Sequence, residues 1–532
     1  MANEIKQENY VVSDNVSRII GREAQRNNIL AAKVVADIVK TTLGPLGMDK
    51  MLVDASGNIT VTNDGVTILQ EMEIDHPAAK MIVEIAKTQE REVGDGTTTA
   101  VLLAGKFLER AEILLNKKIH PTVIIKGYRA AVEKSLEILK DLTIDVVSNE
   151  TLRQIAKTAM TGKGAEGSKE ILSDLIVSAV EQIAEGKEID MDNIKIEKIE
   201  GGSVSDSELI KGLVLSKERA NKDMPKIVKN PKILLADFSI EIRSPETETK
   251  ISISTPEQLD SFLNSEEQYL KNLTFKIIDS GANVVFCQKG IDDVAQYYLA
   301  KAGIFACRRI PKSDMEKLSK ATSGKIIANI NDLSPAFLGR AEKVEEIEKI
   351  DNSLIYVEGC PNPKAVTLIL KGGTGHVIDE IERAVKDGLG DVVSAFKSGK
   401  VVAGGGAVEI ELSRRLKIFA KTIGGREQLA IEEFATALES IPETLAENAG
   451  LDPIDIITEL KKRHESGLFR EGLNLLTNKM EDTFEAGIIE PLKVKTQAIS
   501  SATEVANLIL RIDDVLISSK SSESDKVQDF MN

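Results

Sequence analysis

Residues 92–105 read EVGDGTTTAVLLAG and place Asp95 between two glycines, directly before three threonines. The apolar residues that follow recur at intervals of three and four, which predicts a core helix with a fixed N-terminus. These residues are Ala100, Leu103, Ala104, Phe107, Leu108, Ala111, Leu114 and Leu115. Gly94 and Gly96 lack a Cβ, so a ligand can approach the backbone closely at this turn.

The turn at Asp95 allows two interpretations. A helix N-terminus carries unpaired N–H groups and a partial positive charge, so it is suited to bind phosphate, and Thr97, Thr98 and Thr99 add hydroxyl donors. A carboxylate beside phosphates requires a cation between them, and Mg²⁺ takes one or two carboxylates plus phosphate oxygens. Aspartate is also a good helix N-cap, so Asp95 could be simply a cap.

Composition excludes several classes of function. The chain has 532 residues, 42% of them hydrophobic and 29% charged, with a net charge of -16. That acidity argues against nucleic acid as a partner. Three dispersed cysteines and four histidines indicate neither a disulfide framework nor a zinc site. With no signal peptide and no membrane-spanning apolar run, we expect a cytoplasmic protein without a membrane partner.

The two ends of the chain share a helical pattern that the middle lacks. A helix is predicted from residue 27 to Leu43, ending at Gly44 and Pro45. A strand pair follows, with KMLVD and ITVTNDGVTIL on either side of a turn at residues 56–58. From about residue 216, strands alternate with helices, as in a largely parallel sheet. This order favours one helical domain made from both ends, with other domains inserted into it.

Four further stretches resemble parts of a phosphate site. TTLGPLG is a second glycine turn, VTNDGVT places Asp64 on a turn, TAMTGKGAE presents Lys163, and VVAGGGAVE ends a strand-like run in three glycines. The chain contains no GxxxxGK[ST], so the P-loop design is excluded, and no GxGxxG supports a Rossmann dinucleotide site. An ATP site of another design remains.

Seven motifs together carry a resemblance to a known family. In order and spacing the set resembles the group II chaperonins, especially the archaeal thermosomes, from residue 10 to residue 515. The motifs are TTLGPLGMDKMLVD, NDGVTIL, GDGTTTAVLLAG, TAMTGKGAE, VVAGGGAVEIELSRRL, NAGLDPIDII and EPLKVKTQAISSATEVANLILRIDD. One such motif is weak, but the ordered series is highly specific.

The resemblance implies a multidomain, mainly α fold with α/β parts. It implies a helical equatorial ATPase domain (1–145 and 404–532), a small α+β intermediate hinge domain (146–215 and 371–403) and an α/β apical domain (216–370). A helical lid protrusion is expected at about 244–278. It also implies two stacked rings of identical or paralogous subunits. The rings would enclose unfolded polypeptides, and ATP would drive their closure. Prefoldin is a further candidate partner.

The resemblance also implies roles for individual residues. Asp95 matches a magnesium ligand, Asp64 and Asp387 match the carboxylates that position the attacking water, and Lys163 matches a sensor of the γ-phosphate. The remaining positions match ATP or ADP contacts: Leu43, Gly44, Pro45, Gly96, Thr97, Thr98, Thr99, Thr161, Gly162, Gly405, Gly406, Gly472, Asn474, Glu490 and Lys495. Without the resemblance, Asp64 would be interpreted as a turn former, Asp387 as part of a solvated helix face and Lys163 as an exposed loop lysine.

The segment 248–277 begins with alternation at Ile251 and Ile253 and continues as a helix capped by Thr255. Its apolar stripe is Leu259, Phe262, Leu263, Leu270, Leu273 and Ile277. The position matches the built-in lid of group II chaperonins, where Phe262 and Leu263 could meet neighbouring subunits or substrate; ordinary core packing is the alternative. A separate lid protein is not expected.

Some positions depart from the family pattern. Leu46 replaces a frequent basic residue, Gly388 and Gly390 flank Asp387 where larger residues are common, and Asn474 replaces a frequent aspartate. Glycine in a helix costs up to ~1 kcal/mol relative to alanine. The carboxylates that hydrolysis requires are present, which favours an ATP-hydrolysing chaperonin. A ring scaffold that binds nucleotide with little hydrolysis is the rival, and a small-molecule kinase is a third alternative.

Overall fold

The computed structural model describes residues 16–146, 148–242, 255–348 and 353–518. These residues form sixteen α-helices, α1–α16 in chain order: Gly21–Lys40, Gly65–Glu71, Pro77–Val93, Thr97–Asn116, Pro121–Asp141, Asn149–Met160, Lys169–Ile183, Pro256–Asp279, Asp293–Lys301, Lys312–Thr322, Gly375–Ser398, Ala407–Ile423, Gly425–Leu438, Ser440–Asn448, Pro453–Glu465 and Leu492–Leu510.

The same residues form twenty-one short strands, β1–β21: Val16–Ile20, Lys50–Val53, Ile59–Thr62, Ile144–Asp145, Ile194–Glu200, Glu208–Ile210, Gly212–Leu215, Ile227–Lys229, Lys232–Ala236, Val284–Cys287, Phe305–Cys307, Ile326–Ile327, Gly339–Arg340, Lys343–Glu348, Ser353–Glu358, Val366–Gly372, Lys400–Ala403, Glu471–Asn474, Lys479–Asp482, Ile489–Pro491 and Asp514–Ser518.

The chain divides into two compact units. The first unit contains both chain ends, Met1–Lys169 and Lys386–Asn532, and the second unit is Glu170–Val385. Within the first unit β1 pairs antiparallel with β21, so the two ends of the described chain lie side by side. A helical body built from both ends, with an insertion, agrees with the sequence pattern. The division into equatorial, intermediate and apical domains stays a prediction.

Helix α4 is the centre of the first unit. Its predicted apolar stripe, from Ala100 to Leu114, is buried in a core shared with α1, α3, α5, α13 and α16. The Phe107 ring stacks on Phe434 of α13 with centroids 4.2 Å apart, and the Tyr128 hydroxyl of α5 donates to the Phe107 carbonyl at 2.7 Å. Aromatic pairs of this kind contribute about 1 kcal/mol beyond their buried area. The predicted stripe is confirmed, with Leu115 half-buried at its end.

Two left-handed glycines make the turn between α3 and α4. Gly94 ends α3 with φ 90°, and Gly96 precedes α4 with φ 78°. Other residues rarely adopt this backbone conformation. The chain therefore passes from α3 to α4 in three residues, Gly94 to Gly96, and the N-terminus of a buried helix is held at a fixed position.

The described residues of the second unit form three sheets. Strands β9, β10, β11 and β12 pair in parallel, with β13 antiparallel at β9, which confirms the predicted parallel sheet with helices α9 and α10. The four-stranded sheet β7-β15-β14-β8 is antiparallel, and β16 joins β5 and β6 in a third. The antiparallel sheet was not predicted from the sequence.

Two predictions about the first unit need correction. Helix α1 ends at Lys40 rather than Leu43, and Gly44 is left-handed three residues beyond the Thr41 cap. The strand predicted through ITVTNDGVTIL ends at Thr62, and α2 begins at Gly65. Its β-branched residues resemble a strand, but the Asp64 carboxylate accepts from two amides of the next turn and starts a helix.

Helix α8 confirms the predicted Thr255 cap, whose hydroxyl accepts from the Gln258 amide at 3.4 Å. Ile251 and Ile253 lie outside the described residues, as does the first part of the predicted lid, residues 244–254. The stripe divides in two: Leu270, Leu273 and Ile277 are buried, whereas Leu259, Phe262 and Leu263 are exposed. Core packing within this chain is therefore the wrong interpretation for Phe262 and Leu263.

The three cysteines are free and buried, as expected for a chain without a disulfide framework. Within the described ranges, the helices include none that is both long enough and apolar enough to cross a membrane.

Candidate functional site

A cavity of about 430 Å³ lies within the first unit. It collects nearly all the residues that the sequence marked, although they come from stretches more than 400 positions apart. They are Leu43, Gly44, Pro45, Asp64, Asp95, Gly96, Thr97, Thr98, Thr99, Thr161, Gly162, Lys163, Asp387, Gly405, Gly406, Asn474, Glu490 and Lys495. Gly472 does not line the cavity; it supports the wall, because a Cβ there would lie 2.8 Å from the Gly404 carbonyl oxygen.

The N-terminus of α4 opens into this cavity. The helix begins at Thr97 after Gly96, and no side chain caps it. The first amides of a helix have no partner within the helix, so the amides of Thr97, Thr98 and Thr99 face the cavity with the positive end of the helix dipole. The interpretation of Asp95 as an N-cap is wrong. Gln89 holds the turn instead, since its amide donates to the Asp95 carbonyl at 2.8 Å.

Lys163 joins two of the predicted acidic residues. Its Nζ forms a short ion pair with the Asp387 carboxylate and lies 3.9 Å from Asp95 Oδ1. The side chains of Lys163 and Asp387 are 19% and 11% exposed. Burial raises the pKa of Asp387 well above its usual range, although the Lys163 ammonium opposes this effect. A solvated helix face for Asp387 and an exposed loop for Lys163 are therefore both wrong.

Asp64 has a structural role in addition to its place on the cavity wall. Its carboxylate caps α2, accepting from the Thr67 amide at 3.0 Å and from the Thr67 hydroxyl at 2.6 Å. The interpretation of Asp64 as a turn former is thus also satisfied. The two roles are compatible, because a carboxylate has about four acceptor sites.

Glycines let the remaining walls approach closely. Gly162 has φ 78°, and a Cβ there would lie 2.4 Å from Pro45 Cα. Gly406 starts α12 in the left-handed region, and a Cβ would lie 2.6 Å from Pro442 Cβ. A larger residue at either position would push one wall into another.

The far wall carries a buried charge cluster. Lys495 donates to Glu490 at 2.7 Å and to Glu409 at 2.9 Å, and its side chain is almost fully buried. Asn474 uses both ends of its amide, accepting from the Leu476 amide at 3.0 Å and donating to Glu481 at 2.6 Å. These bonds fix β18 and β20 as a rigid side of the cavity.

Sequence reasoning missed three acidic residues of the wall, Glu90, Glu150 and Asp391. Asp391 follows Asp387 by four residues on α11, a spacing that places two side chains on one helix face, so the signal was present. Glu90 lies one turn before the glycine turn. Burial, followed by the charges of Asp64 and Asp95, raises the pKa of Glu90 to about 7.

The sequence matches the model of the TCP-1/cpn60 chaperonin family over residues 35–520. The chain belongs to this family. It is 57% identical over 512 residues to a thermosome subunit of Methanopyrus kandleri, covering 95% of this chain and 94% of that protein. It is 55% identical to the thermosome subunit beta of Methanothermobacter thermautotrophicus (98% and 97% covered) and 54% identical to the thermosome subunit alpha of Archaeoglobus fulgidus (97% and 96%).

Membership of the family gives the cavity its context, because chaperonins use nucleotide to assist protein folding. In the part of the chain described here, no group of three or more His, Cys, Asp or Glu side chains is arranged to hold a metal ion. Mg²⁺ in many nucleotide sites takes only one or two carboxylates together with phosphate oxygens, and the carboxylates of Asp64, Asp95 and Asp387 line this cavity.

Gly390 of the chaperonin explains one departure from the family pattern. A Cβ at this position would lie 2.7 Å from the Val93 carbonyl oxygen and 2.9 Å from Gly94 Cα, and backbone atoms cannot move aside easily. We expect Gly390→Ala to lower the melting temperature and the affinity for ATP, although alanine favours helix by about 1 kcal/mol. Gly167→Ala, where a Cβ meets open space, is the control. An unchanged melting temperature for Gly390→Ala would refute the close approach.

The raised pKa of Glu90 predicts that the stability of the nucleotide-free, metal-free chaperonin depends on pH. An acid whose pKa is raised in the folded chain, here to about 7 from 4.5, reduces stability as the pH rises between those two values. Glu90→Gln removes this loss, so we expect the variant to gain more in melting temperature over the wild type at pH 8 than at pH 4.5. Thermal unfolding at the two pH values measures it, and an equal shift at both would contradict the assignment.

Proposed function

We propose that this chaperonin binds ATP with Mg²⁺ in the first-unit cavity and hydrolyses it to ADP and phosphate. The observation that carries the proposal is the meeting of an uncapped helix N-terminus with Asp64, Asp95, Lys163 and Asp387 around one cavity. Phosphoryl transfer requires neutralisation of charge and an oriented nucleophile more than covalent help from the protein.

Each residue has a role in this proposal. The amides of Thr97–Thr99 hold phosphate oxygens, and Asp95 holds the magnesium ion, which neutralises the phosphates when bound. Asp64 and Asp387 orient the attacking water. In this proposal the Asp387 carboxylate, which is paired with Lys163, accepts the proton of that water. Lys163 forms an ion pair with Asp387 and is placed to respond to the γ-phosphate.

The rival function, a scaffold that binds nucleotide without hydrolysis, lacks support in the cavity. A scaffold requires only the groups that bind phosphate. Here Asp64 and Asp387, the residues proposed to orient the attacking water, line the same cavity as Asp95. We therefore prefer the hydrolytic chaperonin.

Helix α11 supports a coupling of hydrolysis to movement. It runs without a break from Gly375 to Ser398 and crosses the boundary between the two units at residues 385 and 386. Asp387 lies just inside the first unit, so a shift of this helix would move the carboxylate relative to the nucleotide. We propose that such a shift closes the lid when ATP is bound.

Assembly into two stacked rings of identical or paralogous subunits is supported by the β2–β3 hairpin. Met51, Val53, Ile59 and Val61 alternate along the two strands and share one exposed face. A two-stranded hairpin is marginal by itself, and an exposed apolar face indicates a protein interface. We propose that a neighbouring subunit covers this face.

The exposed end of α8 is proposed to act in the lid or in client contact. Phe262 and Leu263 are 37% and 52% exposed, and an unfolded polypeptide offers apolar side chains that would cover them.

We propose a cytoplasmic site of action.

A refolding experiment tests the proposed function. A chemically denatured client is diluted into the purified protein with Mg²⁺ and ATP, with ADP, or without nucleotide. We expect ATP hydrolysis, and recovery of client activity only with ATP. Recovery independent of nucleotide, or no hydrolysis, would contradict the proposal.

A further inference from the structure

Asp391 is a buried acidic residue of the cavity wall to which the proposed roles give no part. The residue is 2% exposed, and its Oδ1 has no hydrogen-bond partner within the described part of the chain. The residue nevertheless lines the cavity. A buried carboxylate oxygen without a partner is costly, by several kcal/mol for an ionised group, so a partner from outside the chain is expected.

Nearby carboxylates already have partners in the protein. Asp387 is paired with Lys163, and Glu490 is paired with Lys495. Asp64 accepts from amides of α2. Lys163 and Lys495 are thus engaged by other acids, and neither forms an ion pair with Asp391.

Asp391 is also within electrostatic reach of Asp95. Burial raises the pKa of Asp391, and among the surrounding charges Asp95 raises it further, ahead of Glu490. Asp391 lies one turn from Asp387 on α11, and the Lys163 ammonium bound to Asp387 is 3.9 Å from Asp95 Oδ1. Asp391 and Asp95 therefore line the same cavity within electrostatic range of each other.

We propose that Asp391 is a second protein ligand, beside Asp95, for the divalent cation that accompanies the nucleotide. The inference rests on the proposed ATP site. Two carboxylates together with phosphate oxygens match the donor set that Mg²⁺ prefers, and the unpaired Oδ1 of Asp391 is an oxygen of the required kind. Such a cation would also relieve the repulsion between Asp95 and Asp391.

The test measures cation affinity rather than activity. Mn²⁺ is titrated into the protein saturated with ADP, and bound Mn²⁺ is followed by electron paramagnetic resonance. We expect Asp391→Asn, which keeps the shape and removes the charge, to weaken Mn²⁺ binding about tenfold or more, as losses of carboxylates around metal sites do. ADP binding in EDTA should stay equal to that of the wild type or become tighter, because one negative charge is removed.

The matched control is Glu150→Gln, which removes a carboxylate from another part of the cavity wall. It should leave Mn²⁺ affinity within about twofold. Asp391→Ser repeats the test with a smaller side chain if the asparagine variant does not fold, and metal-free ADP binding shows that each variant retains its site. Mn²⁺ affinity unchanged in both Asp391 variants but lost in Asp95→Asn would overturn the inference and leave the ATP site intact. Failure of the wild type to bind ADP and Mn²⁺ would overturn the ATP site itself.

Discussion

Asp387→Asn is expected to lower kcat for ATP hydrolysis at least a hundredfold, while the affinity for ATP stays within about twofold. Loss of a positioned proton acceptor usually costs a factor of about 10² to 10⁴. Asparagine keeps the size of the side chain, so the cavity should remain closed around the nucleotide. Single-turnover hydrolysis and equilibrium binding of ATP, measured on the same preparation, separate the two effects.

Asp379→Asn is the control, because Asp379 lies on the same helix and is half exposed. For the second carboxylate, Asp64→Asn should also abolish turnover and keep the α2 cap, since asparagine caps as well as aspartate. Asp64→Ala should lose turnover and about 1 kcal/mol of stability as well. Hydrolysis at the wild-type rate by the Asp64→Asn/Asp387→Asn double variant would exclude both residues as positioning groups.

Met51→Glu is expected to leave the protein as a subunit of 57.9 kDa in solution. Met51 is 68% exposed on the hairpin face and pairs across the strands with Val61. A charge buried at the centre of an interface without a partner costs several kcal/mol per subunit, and a ring repeats that cost at every contact. Light scattering after size-exclusion chromatography gives the mass directly.

Ser56→Glu is the matched control for assembly. It adds the same charge to the same hairpin, at the exposed turn rather than on the apolar face. This variant should assemble like the wild type. If Met51→Glu still forms particles of full mass, the hairpin is not the subunit interface.

The sequence was most informative where local chemistry decides the structure. Helix α4 and its N-terminal turn follow from glycines that tolerate positive φ and from a stripe with helical spacing. The strand prediction beyond Thr62 was wrong because Val66, Thr67 and Ile68 favour strands, while the Asp64 cap, which decides the structure, is a single residue.

Local sequence patterns could not predict that α11 forms a wall of the cavity. Asp387 and Lys163 are 224 residues apart, and their pairing depends on tertiary packing that no periodicity encodes. The motif resemblance gave that pairing a meaning, but it offered no role for Asp391. Its unpaired oxygen becomes visible only when burial and hydrogen bonds are known. Likewise, the sequence marks Gly390 only as a glycine that destabilises its helix. The structure shows that the helix approaches Gly94 closely at this residue.

Electron microscopy of the purified protein, with and without ATP and Mg²⁺, shows directly whether nucleotide closes a ring. We expect two stacked rings that are open without nucleotide and closed at both ends with ATP and Mg²⁺. Rings that look the same in both conditions, or single subunits in both, would contradict a nucleotide-driven chaperonin.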